Sequence, residues 1–586
     1  MTTHSPQFSA DVRSARPWAR SMGLRFLLLV AVMTSAIVIP PREEAAATTS
    51  GHGWTTSAVT SASTVYRGGR ITVKATIKSR TSRSGRVVIL IRDPAGRRVK
   101  VRAWVGVRFQ AGVARRFSAT WRVPRGEPLG THSVHVTVGR TGHRGATHRH
   151  RTGFRVVRRA CGVSAPVGAR ASLPLRVVSG RRHLVGANGV PFLMQGDAAW
   201  SLMAELTRQE VETYLQDRAR RGFNTVLVSL IEHHFSSDPP RNAYGDAPFT
   251  TPGDFSTPNP AYFAHVDWVL RRAQQLGFVV LLTPAYLGYD GGDEGWWQEV
   301  EDNGTAKMRN YGRFLGRRYG NLSNVIWVQA GDFDPPDRRL VDALAQGIAE
   351  TDPDALQTVH TAPETDPMEY WPTRTWLRVN NVYTYDETYA AASEEYRRST
   401  RPFFLLESTY ENEHGVSTRQ LRTQAYHAML AGSTGHVFGN NPIWHFSSGG
   451  LFTPPRGVTW QTALGGPGSR GMAVAGRLLR SIAWWNLRPD LDDRWLVGGE
   501  QSGQQRAVAA VSCNRRLVVA YVPTSRTVTV DLRQLAGTTA TLTWYDPTDG
   551  TARPVIHRRT TAPFQLATPG RNHGGDTDWL LIARVP

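Results

Sequence analysis

Two acidic residues end apolar runs in a way that invites chemistry. Residues 325–334 read VIWVQAGDFD, and the buried-type run Val325, Ile326, Trp327 and Val328 stops on Gly331 and Asp332; a second run, FFLL, ends on Glu407. Burying an unpaired carboxylate costs several kcal/mol. Such an acid is therefore either a turn or cap residue or a group held at a strand end for catalysis. Two carboxylates facing each other suit hydrolysis of a glycosidic bond. One protonates the departing oxygen while the other attacks the anomeric carbon, and a retaining reaction needs them about 5–5.5 Å apart. Burial and mutual repulsion would raise the pKa of the acid.

The elements that must position this pair begin at Leu175. Apolar runs of strand length alternate there with amphipathic helical stretches: PFLMQGD, FNTVLVSL, FVVLLTPA, VIWVQAGD, LQTVHTA, LRVNNVYTY, FFLLEST and GHVFGNN as strands, with helices such as TRQEVETYLQDRARRG between them. In that helix Thr207 and Glu210 form a capping box and Gly222 supplies the stop. Eight such strands predict a (β/α)8 barrel over residues 175–485. A doubly wound sheet is the alternative, but no G-x-G-x-x-G follows the first strand. Side chains available for chemistry lie at the C-terminal strand ends, and these carry, in order, Asp197, Glu232 with His233, Tyr286, Asp332, His360, Tyr383 with Tyr385, Glu407 and Asn440. Strands four and seven lie on roughly opposite sides of the ring, so Asp332 and Glu407 can point at one another.

Aromatic residues fill the strand-end loops, and sugar rings present C–H faces that stack on them. Trp200, Tyr286, Tyr289, Trp296, Trp297, Trp371, Tyr383, Tyr385 and Trp444 are candidates for subsite walls, with the loop GYDGGDEGWW (288–297) foremost; each is otherwise packing. Asp197, Trp200, Tyr286, Trp296, Trp297, His360, Tyr383, Tyr385, Asn440 and Trp444 form the expected substrate-binding set. Asp197 is alternatively a structural acid, and His360 alternatively only ends its strand. Asp246 and Asp267 read as structural. His233 and His234 are adjacent on one strand and point to opposite faces, so they are not expected to share a metal ion. No cofactor is implied.

The flanks differ in character. Arg13, Arg16, Arg20 and Arg25 precede the uncharged run FLLLVAVMTSAIVIPP and then Ala45-Ala46-Ala47. That order predicts a secretory signal peptide over residues 1–47, too short in its apolar part for a span of roughly 20 residues. The mature chain is then expected outside the cell or at its wall, with no membrane span. Residues 48–160 show period-two runs broken by turns, predicting a β-sandwich of immunoglobulin type. This region is strongly basic: between 51 and 160, 24 Lys and Arg stand against Asp93 and Glu127, in a chain of net charge +23. It could contact an anionic polymer, or be a solvated face; no nucleic acid partner is expected. Residues 161–174 read as a linker and 486–586 as a second, smaller β-sandwich. The two cysteines, Cys161 and Cys513, either form one bridge or remain free thiols. There is no H-E-x-x-H and no G-x-S-x-G, so proteolysis has no support.

The blocks HLVGANGVPFLMQGDAAW, RGFNTVLV, NAYGDAPF, NPAYFAHVDWVLRRAQQLG, YGRFLGRRYGNLSNVIWVQAGD and FFLLESTYEN resemble the apiosidase-like glycoside hydrolase family over roughly residues 175–485. VAYVPTSRTVTVDL, TWYDPTDG and DTDWLLI are similar to the small β-domain, labelled for collagen binding, that often follows this barrel. The resemblance implies a (β/α)8 barrel with Asp332 as acid/base and Glu407 as nucleophile. The family's Gly-Gly-Asp-Arg reads Ala330-Gly331-Asp332-Phe333 here, and its Gly-Glu-Pro reads Leu406-Glu407-Ser408. Phe333 stands where an Arg would border the sugar. Apiose, another pentofuranose, rhamnose or a uronic acid in plant or microbial polysaccharide all remain candidate substrates. A carbohydrate-binding surface protein without turnover is the competing reading.

Overall fold

The computed structural model describes residues 48–61, 64–66, 70–124, 126–140, 147–157, 165–447 and 453–586. The predicted signal peptide (1–47) and Cys161 lie outside them. The chain divides into two units, one up to Arg159 and one from Ala160.

In the second unit, eight parallel strands form a ring: β1 (Met194–Ala198), β2 (Thr225–Ser229), β3 (Val279–Thr283), β4 (Val325–Ala330), β5 (Leu356–His360), β6 (Asn380–Tyr383), β7 (Phe403–Glu407) and β8 (Gly435–Phe438). They pair in the order β5-β4-β3-β2-β1-β8-β7-β6, so the barrel is nearly closed, with its seam between β5 and β6. The seam is bridged from β6 and the residues leading into it: Arg378 N–H donates to Gln357 O at 3.0 Å, and Asn381 Nδ2 to Thr358 Oγ1 (2.9 Å) and Val359 O (2.6 Å). All eight predicted strands are present.

Alternation along each strand sorts the side chains. Leu281, Ile326, Val328, Phe404 and Leu406 fill the barrel interior with Met194 and Val437. Val226, Val280, Leu282 and Trp327 face the surrounding helices. The helix Arg208–Arg220 carries the predicted Thr207–Glu210 capping box. After β3 the helix runs Trp297–Tyr319, with a left-handed Gly304 inside it, so it starts earlier than the pattern predicted and draws Trp296 and Trp297 toward the core.

The C-terminal β region folds as a six-stranded and a three-stranded sheet around Trp495, Trp544 and Trp579. It is fastened to the barrel through Arg422, on helix Thr418–Leu430. That guanidinium makes two 2.8 Å bonds to the buried Asp578 carboxylate and one of 2.7 Å to Asp576. Asp578 also accepts from Tyr521 and Asn572, each at 2.8 Å. Breaking a buried, fully bonded pair of this kind costs about 3–5 kcal/mol. Cys513 is disulfide-bonded. The described part of the predicted linker is hydrogen-bonded to the hairpin Leu175–Val177/Leu184–Gly186 region, Ser172 N–H donating to Asn188 Oδ1 at 3.1 Å.

The first unit is a four-stranded and a five-stranded sheet facing a core of Ile71, Val73, Val87, Ile89, Trp121, Val134 and Val136. Its strands pair antiparallel except Thr64–Tyr66 with Thr147–Val157, which is parallel. Asp93 and Glu127 are both engaged, with Arg97 (2.8 Å) and His132 (2.9 Å). Among the described residues no helix is long and apolar enough to cross a membrane.

Candidate active site

Where the strands end, the barrel opens into a cavity of about 400 Å³ whose walls include Trp200, Tyr286, Asp332, His360, Tyr383, Tyr385, Glu407 and Trp444. Eight of the twelve residues expected to form the site therefore meet in one place. The backbone explains how the two acids arrive there. From the last residue of β4, three successive residues take positive φ: Ala330 (62°), Gly331 (147°) and Asp332 (55°). A Cβ on Gly331 would lie 2.5 Å from the Tyr286 ring, so only glycine fits this turn. The kink seats the Asp332 carboxylate against two phenols, Tyr383 Oη donating to Oδ1 at 2.8 Å and Tyr286 Oη to Oδ2 at 3.2 Å.

Glu407 arrives by a different device. Phe404 and Leu406 point inward and Phe403 and Leu405 outward, so strict alternation would send Glu407 out toward the helices. The β6–β7 register slips at this point, with Val382 opposite Leu405 but Tyr383 opposite Glu407. A bulge of this kind re-aims a side chain, and Leu406 and Glu407 both face inward. His360 Nε2 lies 3.2 Å from Glu407 Oε2. The His360 ring is stacked on Trp200 (5.6 Å, 15°) and packs on Tyr383 (4.8 Å). Trp200 is itself fixed by donating from Nε1 to Tyr410 Oη at 3.1 Å.

Burial raises the pKa of Asp332 to about 6, with the Glu407 charge adding to the rise while His360 and the two tyrosine hydroxyls oppose it. Burial likewise raises Glu413 to about 7, with Glu407 contributing; the Trp444 indole, donating at 2.8 Å, works against this. The phenols of Tyr286 and Tyr383 are pushed far above their usual range by burial and the nearby acids, so they remain hydrogen-bond donors. Among the described residues, four carboxylates, Glu294 included, and no Lys or Arg line the cavity.

Four expected residues lie elsewhere. Asp197 is buried on the outward side of β1, where Tyr214 Oη donates to it at 2.8 Å and Arg218 lies at 3.4 Å; it is a structural acid. Trp296 is packed against His233, Phe249 and Phe255, and Trp297 against Phe333, because the early helix start turns both inward. Asn440 is buried and donates to Glu411 at 2.8 Å. Phe333 packs on Trp297 and close to Gly291 and is not among the cavity walls. Trp371 is fully buried. Of the loop 288–297, Tyr289 and Glu294 reach the cavity.

Sequence reasoning missed Ser229, Phe235, Glu294, Tyr410, Glu413 and His414 as cavity walls. Tyr410, Glu413 and His414 stand within seven residues of Glu407 in the loop ESTYENEH, a signal that was there to be used. Phe235 was harder to foresee. It is presented by Glu232, whose Oε1 accepts from the backbone N–H groups of His233, His234 and Phe235 at 2.9, 3.4 and 3.3 Å, while Oε2 accepts from Ser201 at 2.6 Å.

Comparison with known proteins gives this geometry a lineage. Residues 178–486 match the family described as "Apiosidase-like, catalytic domain", and residues 491–584 match the "Putative collagen-binding domain of a collagenase". No curated protein matches the sequence. Among solved structures, one named only as a glycoside hydrolase is 23% identical, covering 71% of this chain and 98% of its own at a TM-score of 0.62. A glycoside hydrolase family 5 protein from Bacteroides vulgatus ATCC 8482 is also 23% identical, covering 71% and 95% at 0.62. A second B. vulgatus protein, titled a putative glycoside hydrolase, is 14% identical, covering 89% and 100% at 0.54. These likenesses are of fold; the match to the barrel extends over more than half the chain, and by it this protein belongs to the apiosidase-like family of glycoside hydrolases.

Proposed function

We propose that the protein is a secreted, retaining glycoside hydrolase that removes sugar side chains from plant or microbial polysaccharide. The observation that carries this reading is that Asp332 and Glu407, delivered by separate backbone devices, line one cavity in which Asp332 is raised to about 6 by burial and by Glu407. In the first step protonated Asp332 gives its proton to the glycosidic oxygen. The C–O bond to the leaving group breaks as a Glu407 oxygen bonds to the anomeric carbon. In the second, the Asp332 carboxylate takes a proton from water, the water oxygen bonds to the anomeric carbon, and the ester to Glu407 breaks. Tyr286 and Tyr383 hold the Asp332 carboxylate in place, and His360 fixes Glu407 by lying beside it. Trp200, Tyr385 and Trp444 supply faces for sugar rings.

The 1–47 leader supports export, and the basic first unit is suited to holding the enzyme on an anionic polymer. The test is turnover on a panel of cell-wall oligosaccharides. Glu407→Gln and Asp332→Asn should each lose at least about a hundredfold in kcat, and the first product seen by NMR should keep the anomeric configuration of the substrate. Glycan binding by the wild type without release of reducing ends would favour a lectin-like protein instead.

A further inference from the structure

At the other end of the barrel, where the strands begin, there is a second cavity, of about 360 Å³. That volume is within the range of small-molecule sites, about 300–1,000 Å³. Among the described residues its walls include Arg170, Asn224, Arg480, Trp484 and Trp485, and no Asp or Glu. Arg480 ends the helix Pro467–Arg480 and donates from Nη2 to Gly222 O at 2.8 Å. Among the described residues neither Arg480 nor Arg170 forms an ion pair with a carboxylate; the charged group acting on Arg480 is Arg170 itself. Burial, aided by that like charge, lowers Arg480 to about 10. Elsewhere in this unit, the buried arginines Arg218 and Arg422 each face aspartates. A desolvated guanidinium facing a second cation is costly unless an anion shares the space.

We propose that this cavity binds the carboxylate of an acidic sugar, a hexuronate unit of a polysaccharide. Arg480 takes the carboxylate through paired N–H donors, the geometry a planar guanidinium offers best. Arg170 adds a second cation at the mouth, and the indoles of Trp484 and Trp485 provide an apolar wall for the ring. The choice of a sugar acid over other anions rests on the reading of the protein as a glycan-acting enzyme; the anion site itself does not. Such a subsite would hold a charged backbone at one end of the barrel while the cavity at the other end works on side chains.

The test is calorimetric titration of the full-length Glu407→Gln protein with an oligogalacturonate, its fully methyl-esterified form and sodium sulfate. It is run at about 0.3 M salt, which screens exposed basic surfaces to within several ångströms. The oligogalacturonate should bind, and the ester, which keeps the rings but loses the charge, should bind at least about tenfold more weakly. Arg480→Met should lose the same factor, and Arg480→Lys should recover part of it. Arg170→Ala, at an exposed position, should weaken binding several-fold, and it serves alone if Arg480→Met does not fold. Without ligand, Arg480→Met should unfold at the same or a higher temperature, since it removes a cation without a counter-charge. Equal binding of the ester, or binding that survives both Arg480→Met and Arg170→Ala, overturns the proposal. Sulfate binding as tightly as the uronide overturns the sugar-acid assignment and leaves a general anion site. Residual turnover in Glu407→Gln bears on the hydrolase reading alone.

Discussion

Asp197 and Asp332 are the same residue at the same kind of place, the end of a barrel strand, and burial pushes both to a pKa of about 6. Their neighbours differ. Asp197 lies on the helix side of β1 against the Arg218 guanidinium and the Tyr214 hydroxyl, with no opening to solvent. Asp332 is on the cavity side of β4, held by hydrogen bonds from two phenols and sharing the cavity with a second acid, Glu407. A raised pKa is therefore no sign of catalysis by itself. What separates the two is the company and the access: the sealed Asp197 has Arg218 and Tyr214 as its partners, whereas Asp332 opens onto a cavity that it shares with a second acid.

Substitution should split the pair most widely. Asp332→Asn should cost about 10²–10⁴-fold in kcat without lowering the unfolding temperature. The linkage has a definite sign. An acid raised from 3.8 to about 6 on folding favours the folded state below pH 4, and that advantage fades as pH rises to 6 and beyond. The asparagine cannot lose it, so at pH 7 the variant should be as stable as the wild type or more so. Asp197→Ala should do the reverse. It leaves Arg218 with Asp217 as its remaining acid and orphans the Tyr214 hydroxyl, so stability should fall toward the lower end of the about 3–5 kcal/mol seen when a buried pair is broken. Activity below its unfolding temperature should persist. Loss of turnover in a folded Asp197→Ala protein would erase the distinction.

How this contrast was hidden in the sequence is instructive. The eight strands were legible because each is a short apolar run buried on both faces, and the (β/α)8 alternation leaves few other arrangements. The positions of Asp332 and Glu407 were legible as the acids that end two such runs. Asp197 was expected among the substrate-binding residues, and alternation would have placed it outside: Met194 and Ala198 point into the barrel, so an odd-numbered neighbour on the same strand points out. The same rule, applied alone, would have rejected Glu407, since only the slip between Val382 and Tyr383 turns it inward, and no residue in FFLLEST announces a bulge. Trp296 and Trp297 looked like loop aromatics because the helix start after β3 has no capping side chain to mark it. The seam closed by Asn381 depends on a partner distant in sequence, beyond what local pattern conveys.

A smaller change tests what the phenols do for Asp332. Tyr383→Phe removes the 2.8 Å donor from Oδ1 while keeping the ring against His360. A hydrogen bond to a charged group contributes about 1.5–3 kcal/mol, and this one favours the ionised carboxylate. Its loss should move Asp332 further above about 6 and shift the basic limb of kcat/KM to higher pH. In the proposed mechanism the second step needs the carboxylate as base, and it should slow by about tenfold. An unshifted pH profile with the same loss of rate would mean that Tyr383 touches the sugar rather than the acid.

The finest test concerns the charge that Asp332 feels across the cavity. Because Glu407 raises its pKa, Glu407→Gln should bring the Asp332 carboxyl below about 6, a titration followed by carbon NMR of labelled aspartate since turnover is lost. Asp197 serves as the internal reference. It owes its rise to burial, with Arg218 and Tyr214 opposing it, so its titration should stay near 6 in the same sample. If both aspartates move together, the change is one of global solvation, and the pairing of Asp332 with Glu407 in one cavity loses its electrostatic support.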